Sequence, residues 1–227
     1  MKLEKDSNPH TIHEAVEILR AGGVILFPTD TQYGLGADAL SDDAVEKIYA
    51  IKGRDERKPI HCIVSDVAMM EKYAEVPDMA RMLAGEFLPG GLTLILKKRE
   101  GIETGIAHGI STIGIRIPNN QFCMKLAKEF GRPFTATSAN VSGQKTEHTV
   151  EAILEQFGPN NSYSNVLKNI RIRKEEMPID LVVDAGELPD SQPSTVVDLS
   201  GKEPVILREG AIPAADIWNL LGTEFQD

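Results

Sequence analysis

The stretch Gly22–Ala39 reads GGVILFPTDTQYGLGADA. Its two glycines precede an apolar run that predicts a short buried strand, which ends at Pro28. Thr29–Tyr33 then place five hydrogen-bonding side chains in a row, and Gly34 and Gly36 close the segment. Polar groups at the end of a buried strand, beside glycines that allow close backbone approach, are typical of a ligand pocket in α/β proteins. The alternative is a Thr/Asp turn that caps the next helix.

Around this stretch, hydrophobic periodicity and turn residues predict interleaved helices and strands. Helices are predicted at His10–Ala21, from the N-cap Ser41 to Ile51, and at Asp66–Tyr73, Pro77–Glu86, Asn119–Gly131, Glu147–Phe157 and Pro213–Leu221. Further strands are predicted at Ile60–Val64, Leu92–Lys97, Thr112–Pro118, Leu181–Asp184, Thr195–Leu199 and Val205–Leu207, and a short strand is predicted to begin at Pro133. Because strands and helices do not alternate strictly, a mixed sheet is favoured over a parallel one. We expect one domain over residues 1–227, with residues 158–178 as a surface excursion.

Three polar features besides the opening loop carry possible chemistry. The segment from Lys52 to Lys58 holds four cations in seven residues, which predicts either a solvated turn or a phosphate site. Arg116 lies between two isoleucines, so it must point away from the core or pair with an anionic group. A compact polar turn with Ser138 and Asn140 follows the strand that begins at Pro133. The sequence alone does not show that these segments converge.

Composition limits the classes of function. The chain of 227 residues has 41% hydrophobic and 26% charged residues, typical of a globular protein. Its net charge of −10 argues against broad, non-specific nucleic-acid binding. Cys62 and Cys123 lie in apolar stretches and are expected to be buried thiols, and no zinc-type spacing accompanies His61. Neither a signal peptide nor a membrane-length apolar run is present, so we predict a cytoplasmic protein that does not enter membranes.

Familiar catalytic signatures are missing from the sequence. There is no GxxxxGK[ST] phosphate loop, no GxGxxG after a strand and no GxSxG nucleophile elbow. However, seven segments in order resemble the YrdC-like threonylcarbamoyl-AMP synthases, and the resemblance runs from about Ile12 to Ile212. They are VILFPTDTQYGLGADA, the KxR of Lys52 and Arg54 followed by KPI, LPGGLTLIL, TIGIRIP, TSANVSG, PSTVVDL and ILREGAI. The resemblance implies an α+β fold in which a large twisted mixed sheet, flanked by helices, surrounds a deep concave cavity.

The resemblance also implies an enzyme, a nucleotidyltransferase that forms threonylcarbamoyl-AMP and pyrophosphate from L-threonine, bicarbonate and ATP. By motif, the residues expected at the nucleotide phosphates and in catalysis are Lys52, Arg54, Ser138 and Asn140, and that site would be extended by Lys58 and Arg208. L-Threonine would be held by Thr31, Tyr33, Arg116 and Ser194. Mg²⁺ would accompany ATP, with no protein-bound metal and no organic cofactor. The product would pass to downstream tRNA threonylcarbamoyl-transferase machinery, with weak tRNA binding at most.

This sequence departs from the family pattern in places. Glu187–Gln192 replaces a glycine-rich run that often precedes the PST motif. Some relatives carry a further C-terminal domain that can cover the site, and the sequence ends at Asp227 without one, so we expect a lid from its own loops or from a partner.

Three rival functions were weighed. The first is carbamoyl transfer of the hydrogenase-maturation type, whose acylphosphatase and zinc-finger segments are missing here. The second is an RNA- or tRNA-binding module without its own adenylation activity, against which the acidic net charge and the few aromatic residues count. The third is the dihydroxybutanone phosphate synthase class, whose acidic metal-binding signature is not apparent.

Overall fold

A computed structural model describes residues 2–5, 8, 10–55, 58–157 and 178–222. The described strands are β1 Lys2–Lys5, β2 Ile25–Phe27, β3 Gly34–Gly36, β4 His61–Ile63, β5 Leu92–Lys97, β6 Thr112–Arg116, β7 Phe134–Ser138, β8 Leu181–Asp184, β9 Thr195–Asp198 and β10 Val205–Arg208. The described helices are α1 Thr11–Arg20, α2 Asp42–Lys52, α3 Val67–Tyr73, α4 Asp78–Phe87, α5 Gln121–Phe130, α6 Val150–Phe157 and α7 Ala214–Leu221. A 3₁₀ turn covers Gly105–Ala107.

The described strands join in one 10-stranded sheet, in the order β1-β8-β2-β3-β7-β4-β6-β5-β9-β10. Strands β1 and β8, β8 and β2, β4 and β6, and β5 and β9 pair in parallel, and the remaining neighbours pair antiparallel. The sheet is therefore mixed, and the predicted α+β fold with helices flanking a large mixed sheet is confirmed.

Alternate residues of β2 belong to different hydrophobic clusters, because successive side chains of a strand point to opposite faces. Ile25 and Phe27 pack in a cluster with α1 and α5, whereas Leu26 packs in a larger cluster that includes α2, α3, α4, α6 and α7. Helices thus cover both faces of the sheet. None of the helices in the described parts of the chain combines the length and the apolarity needed to cross a bilayer.

Helix α2 shows why the sequence places its ends where it does. The Ser41 side chain accepts a hydrogen bond from the Ala44 amide at 3.3 Å, and this confirms the predicted N-cap. Gly53 ends the helix in the left-handed region, with φ of 57°, a conformation that favours glycine. The helix therefore ends directly before the cation-rich segment.

Other boundaries differ from the predictions in informative ways. The cap of α5 is Asn120 rather than Asn119, and α6 begins at Val150 rather than Glu147. Strands β1 and β3 were not predicted. Gly34 and Gly36 do not merely close a loop, because they form β3, which pairs antiparallel with β2. Of the predicted surface excursion, residues 158–177 lie outside the described residues.

The glycines of β3 are required by a close packing contact. A Cβ atom built on Gly34 would lie 2.9 Å from Phe27 Cζ, and one on Gly36 would lie 2.9 Å from Phe27 Cε1. Both contacts are shorter than van der Waals contact, so the ring of Phe27 lies directly on the backbone of β3. The antiparallel β2–β3 pair therefore presents the loop Thr29–Tyr33 at one end of the sheet.

Candidate active site

A cavity of about 320 Å³ opens where the predicted polar segments meet. Among the predicted site residues, its lining includes Thr31, Tyr33, Arg54, Arg116, Ser138, Ser194 and Arg208. Residues that sequence reasoning did not assign to the site also line it: Gln32, His61, Thr93, Thr146 and the apolar Ile60 and Ala136. The described lining residues carry three arginine side chains and several hydroxyl groups but no Asp or Glu. Such a surface favours an anionic ligand.

The loop Thr29–Tyr33 is held by its own hydrogen bonds. The Thr29 hydroxyl accepts from the amides of Thr31 at 3.0 Å and Gln32 at 3.1 Å, and it lies 2.7 Å from the Gln32 carbonyl. The loop is therefore a structured turn that also forms part of the cavity wall. The turn leads into strand β3, however, and does not cap a helix.

Arg116 pairs with an anionic group, as one of the two sequence-based interpretations required. Its side chain is only 10% exposed, and Nη2 lies 2.6 Å from Asp30 Oδ1. Nη1 donates to the Thr31 hydroxyl at 2.9 Å, and Nε donates to the Gly90 carbonyl at 3.2 Å. A guanidinium has five N–H donors. These bonds leave one N–H on each terminal nitrogen, which suits bidentate binding of a carboxylate.

Tyr33 is fully buried, and its hydroxyl connects the opening loop to the loop that follows β8. It donates to the Gly186 carbonyl at 2.8 Å and accepts from the Ala185 amide at 2.9 Å. The Ser191 hydroxyl also donates to the Thr31 carbonyl. The segment that departs from the family's glycine-rich pattern is therefore tied to the opening loop and leads directly to Ser194 at the cavity.

Ser194 and Arg208 lie together in another part of the cavity lining. The Ser194 hydroxyl is 2.8 Å from that of Thr93, and Arg208 Nη2 donates to the Ser194 carbonyl at 2.7 Å. Burial, followed by the charge of Arg116, lowers the pKa of Arg208 below its usual value. The Arg208 guanidinium is therefore fixed by backbone contacts and lies in the field of a second cation.

Three of the residues predicted at the phosphates, Lys52, Ser138 and Asn140, contact one another, but they differ in how they relate to the cavity. Lys52 Nζ donates to the Ser138 carbonyl and, at 2.8 Å, to the Asn140 carbonyl. The Ser138 hydroxyl donates to Asn140 Oδ1 at 2.6 Å. Ser138 faces the cavity, whereas Lys52 and Asn140 are outside the set of described residues that line it. Lys52 thus supports the cavity wall from behind.

Burial, and to a smaller extent the charge of Arg54, lowers the pKa of Lys52 from 10.5 to about 7. Arg54 itself lines the cavity and donates to the carbonyls of Lys58 at 3.1 Å and Pro59 at 3.2 Å. The side chain of Lys58 is exposed and is not among the described lining residues. The assignments of Lys52, Asn140 and Lys58 to the phosphates stay predictions.

His61 is the main lining residue that the sequence did not predict, because its position beside Cys62 suggested only a possible metal ligand. A Cβ atom built on Gly114 would lie 2.4 Å from His61 Cδ2, so the imidazole packs directly on the backbone of β6. Burial lowers the pKa of His61 to about 4, and the charges of Arg208, Arg54 and Arg116 act in the same direction. The imidazole is therefore neutral near pH 7. Its position, as the first residue of a buried strand directly after the cation-rich segment, was the available signal.

A search of the described residues finds no group of three His, Cys, Asp or Glu side chains arranged to hold a metal ion. Cys62 and Cys123 are buried free thiols, as predicted. Burial raises the pKa of Cys62 to about 12, so this thiol is protonated and unreactive near neutral pH. The chemistry available in the cavity is thus that of fixed cations, hydroxyl groups and a neutral imidazole.

Comparison with known proteins places this cavity in context. The Sua5_yciO_yrdC family model, described as "Telomere recombination", matches residues 17–176. A "Threonylcarbamoyl-AMP synthase" of Pyrococcus abyssi is 35% identical over 212 residues, and the match covers 93% of this chain and 57% of that protein. A "Putative threonylcarbamoyl-AMP synthase" of Methanocaldococcus jannaschii is 39% identical over 197 residues, covering 87% of this chain and 84% of that protein.

A solved structure agrees with the sequence comparisons. The crystal structure of P. abyssi Sua5 complexed with L-threonine superposes with a TM-score of 0.82 at 33% identity, covering 97% of this chain and 60% of that one. This chain therefore spans less than two thirds of the P. abyssi protein's length. The family match and these similarities confirm the resemblance seen in the sequence motifs, and this chain belongs to the Sua5/YciO/YrdC family.

Proposed function

We propose that this chain is an L-threonylcarbamoyl-AMP synthase. It would combine L-threonine, bicarbonate and ATP into threonylcarbamoyl-adenylate and pyrophosphate, for the N6-threonylcarbamoyladenosine modification of tRNA. The observation that carries the proposal is one cavity where Arg54, Arg116 and Arg208 meet hydroxyl groups without an opposing carboxylate in the described lining. The names of relatives that are 30–39% identical over most of the chain support it.

The arginines suggest how two anionic substrates are separated. Arg116 keeps two N–H donors for a carboxylate, so we place the carboxylate of L-threonine there. Arg54 and Arg208 are the other described cations at the cavity, and we place the phosphates of ATP between them and Ser138. Thr31, Tyr33 and Ser194 would then complete the threonine side.

The reaction needs no dedicated nucleophile from the protein. The amine of threonine attacks the carbon of bicarbonate and water leaves, which gives a carbamate. A carbamate oxygen then attacks the α-phosphorus of ATP, and the bond to the β-phosphate oxygen breaks with release of pyrophosphate. Negative charge gathers around the α-phosphate in the transition state, so fixed cations stabilise it most. Holding the reactants in register lowers the entropic part of the barrier.

Mg²⁺ enters this proposal as the counter-ion of ATP. The described lining residues offer hydroxyl, amide and imidazole groups but no carboxylate, so they do not form a protein-held magnesium site. A nucleotide-bound ion needs none, because phosphate oxygens and water supply most of its ligands.

The partners follow from the product. Threonylcarbamoyl-AMP is a labile mixed anhydride, so a tRNA threonylcarbamoyl-transferase must consume it soon after release. The net charge of −10 favours weak direct tRNA binding at most, which supports a synthase over an RNA-binding module. A cytoplasmic location, where ATP and tRNA are available, completes the proposal.

The test is a pyrophosphate-release assay with ATP, Mg²⁺, L-threonine and bicarbonate, with mass spectrometry of the adenylate product. We expect release to require both threonine and bicarbonate. An Arg54→Ala variant should lose most of the activity, and Arg132→Ala is its control, because Arg132 pairs with Asp38 and is not among the described lining residues. Pyrophosphate release that is indifferent to threonine and bicarbonate would refute the proposal.

A further inference from the structure

Asp30 is a mostly buried carboxylate that contacts the cavity residue Arg116 from outside the described lining. Its side chain is only 14% exposed, and it is outside the set of described residues that line the cavity. Oδ1 accepts from Arg116 Nη2 at 2.6 Å, and Oδ2 accepts from the Asn119 amide at 3.0 Å. Both oxygens are therefore engaged, one by the guanidinium and the other by the backbone of the connection between β6 and α5.

These two bonds fix the orientation of Arg116. The Gly90 carbonyl and the Thr31 hydroxyl hold Nε and Nη1, but neither contacts Nη2. Asp30 supplies the third fixed point, and three fixed points define the plane of the guanidinium. The bond from Asn119 anchors Asp30 in turn, so the carboxylate cannot follow Arg116 towards a ligand.

We propose that Asp30 is a positioning residue that presents the two remaining N–H groups of Arg116 to the carboxylate of the amino-acid substrate. This inference rests on the proposed function. Asp30 also offsets the positive charge of Arg116, which is itself only 10% exposed and lies in the field of the other cavity arginines. The geometric effect strengthens substrate binding, whereas the added negative charge opposes it. We infer that geometry dominates, because a bidentate contact requires both N–H groups to be aligned.

Asp30→Asn is the sharpest perturbation, since it preserves shape. An amide has one acceptor oxygen, whereas Arg116 Nη2 and the Asn119 amide both donate, so the variant can satisfy only one of them. Asp38→Asn is a matched control. Asp38 likewise accepts from an arginine, Arg132 at 2.9 Å, and from a backbone amide, that of Leu40 at 3.0 Å, but this pair is not among the described lining residues.

The experiment measures KM for L-threonine and ATP by pyrophosphate release, and binding of L-threonine and L-threoninamide by calorimetry. We expect Asp30→Asn to raise the KM for threonine by roughly 10- to 100-fold and to change the KM for ATP by less than about twofold. Binding of L-threoninamide, which lacks the carboxylate, should not weaken. Asp38→Asn should leave all of these values within about twofold of wild type.

The outcomes separate this inference from the proposed function. A wild-type enzyme that releases no threonine-dependent pyrophosphate refutes the proposed function. An active wild type with an unchanged threonine KM in Asp30→Asn, or with tighter threonine binding, overturns the positioning role alone. Equal weakening of threonine, threoninamide and ATP would show a merely structural residue and also overturns it. If Asp30→Asn does not fold, Asp30→Glu keeps the charge but displaces the carboxylate, and a wild-type threonine KM in that variant overturns the inference.

Discussion

The Lys52 side chain is a buried amine, and replacing it by methionine tests how it supports the cavity wall. The side chain is 1% exposed and donates to the carbonyls of Ser138 and Asn140. In the variant, the Ser138 carbonyl still accepts from the Asn140 amide at 2.9 Å. The Asn140 carbonyl loses the bond from Lys52, and a buried carbonyl without a partner costs about 1–3 kcal/mol. We therefore expect Lys52→Met to lower the free energy of unfolding by that amount near pH 8.

The pH dependence of this difference adds a second, independent signature. The pKa of Lys52 is about 7 in the folded protein against 10.5 as its ordinary value. Between these values the unfolded chain binds more protons, so the wild-type free energy of unfolding rises with pH across this window. The rise amounts to roughly 2 kcal/mol between pH 7 and 9. The variant lacks this contribution, so the difference between the two proteins should grow as pH increases.

Urea unfolding at pH 7, 8 and 9, followed by the fluorescence of the single tryptophan, Trp218, measures these differences. Lys47→Met is the control. It changes the same helix, but Lys47 is exposed and, within the described residues, donates to the Gly22 carbonyl at 2.7 Å, so we expect an effect below about 0.5 kcal/mol at each pH. A Lys52→Met variant as stable as wild type at pH 9, or a difference that stays constant from pH 7 to 9, would refute this reasoning.

Two further variants test other parts of the cavity. Arg116→Ala should lower kcat/KM for threonine in pyrophosphate release by the equivalent of about 2–5 kcal/mol, because the substrate carboxylate loses its charged partner. An unchanged kcat/KM for threonine would contradict the role assigned to Arg116. His61→Gln should alter stability only in acid. Because the pKa of His61 is lowered from 6.5 to about 4, the unfolded chain binds more protons between these values, and wild-type stability falls as pH drops through that window. Urea unfolding at pH 4.5, 5.5 and 6.5 should show a shallower fall in the variant, and equal slopes would exclude a buried, neutral His61.

The sequence predicted those helices and strands that hydrophobic periodicity marks strongly. β5 was predicted with its observed bounds, and the cap of α2 at Ser41 was correct. Strand β3 was not predicted, because its sequence, Gly-Leu-Gly, has low strand propensity. What makes it a strand is the ring of Phe27, whose packing against the glycine backbone is a tertiary contact. Local propensity contains no information about such a contact.

The site was predicted in its chemistry better than in its geometry. The isoleucines on either side of Arg116 indicated that it either points out of the core or pairs with an anionic group. They could not identify its partner Asp30, which lies 86 residues away in the sequence. Similarly, the acceptors of the Lys52 ammonium lie 86 and 88 residues further along the chain. Motif resemblance assigned Lys52 to phosphates, but it could not show that this side chain already has backbone partners. Such pairings depend on strand order, which a single sequence does not specify.

Strand β8 occupies the gap between β1 and β2, and this bears on how the protein can be made. Val24 and Asp180, which flank this pairing, are 156 residues apart in the sequence. During synthesis, β1 and β2 leave the ribosome long before their shared partner is translated, so both expose unpaired backbone edges in the meantime. Such edges are prone to aggregation, and contacts of this separation slow folding. The nascent chain should therefore depend on chaperones more than its size suggests, and it cannot pair β1 and β2 through β8 until Asp184 has emerged.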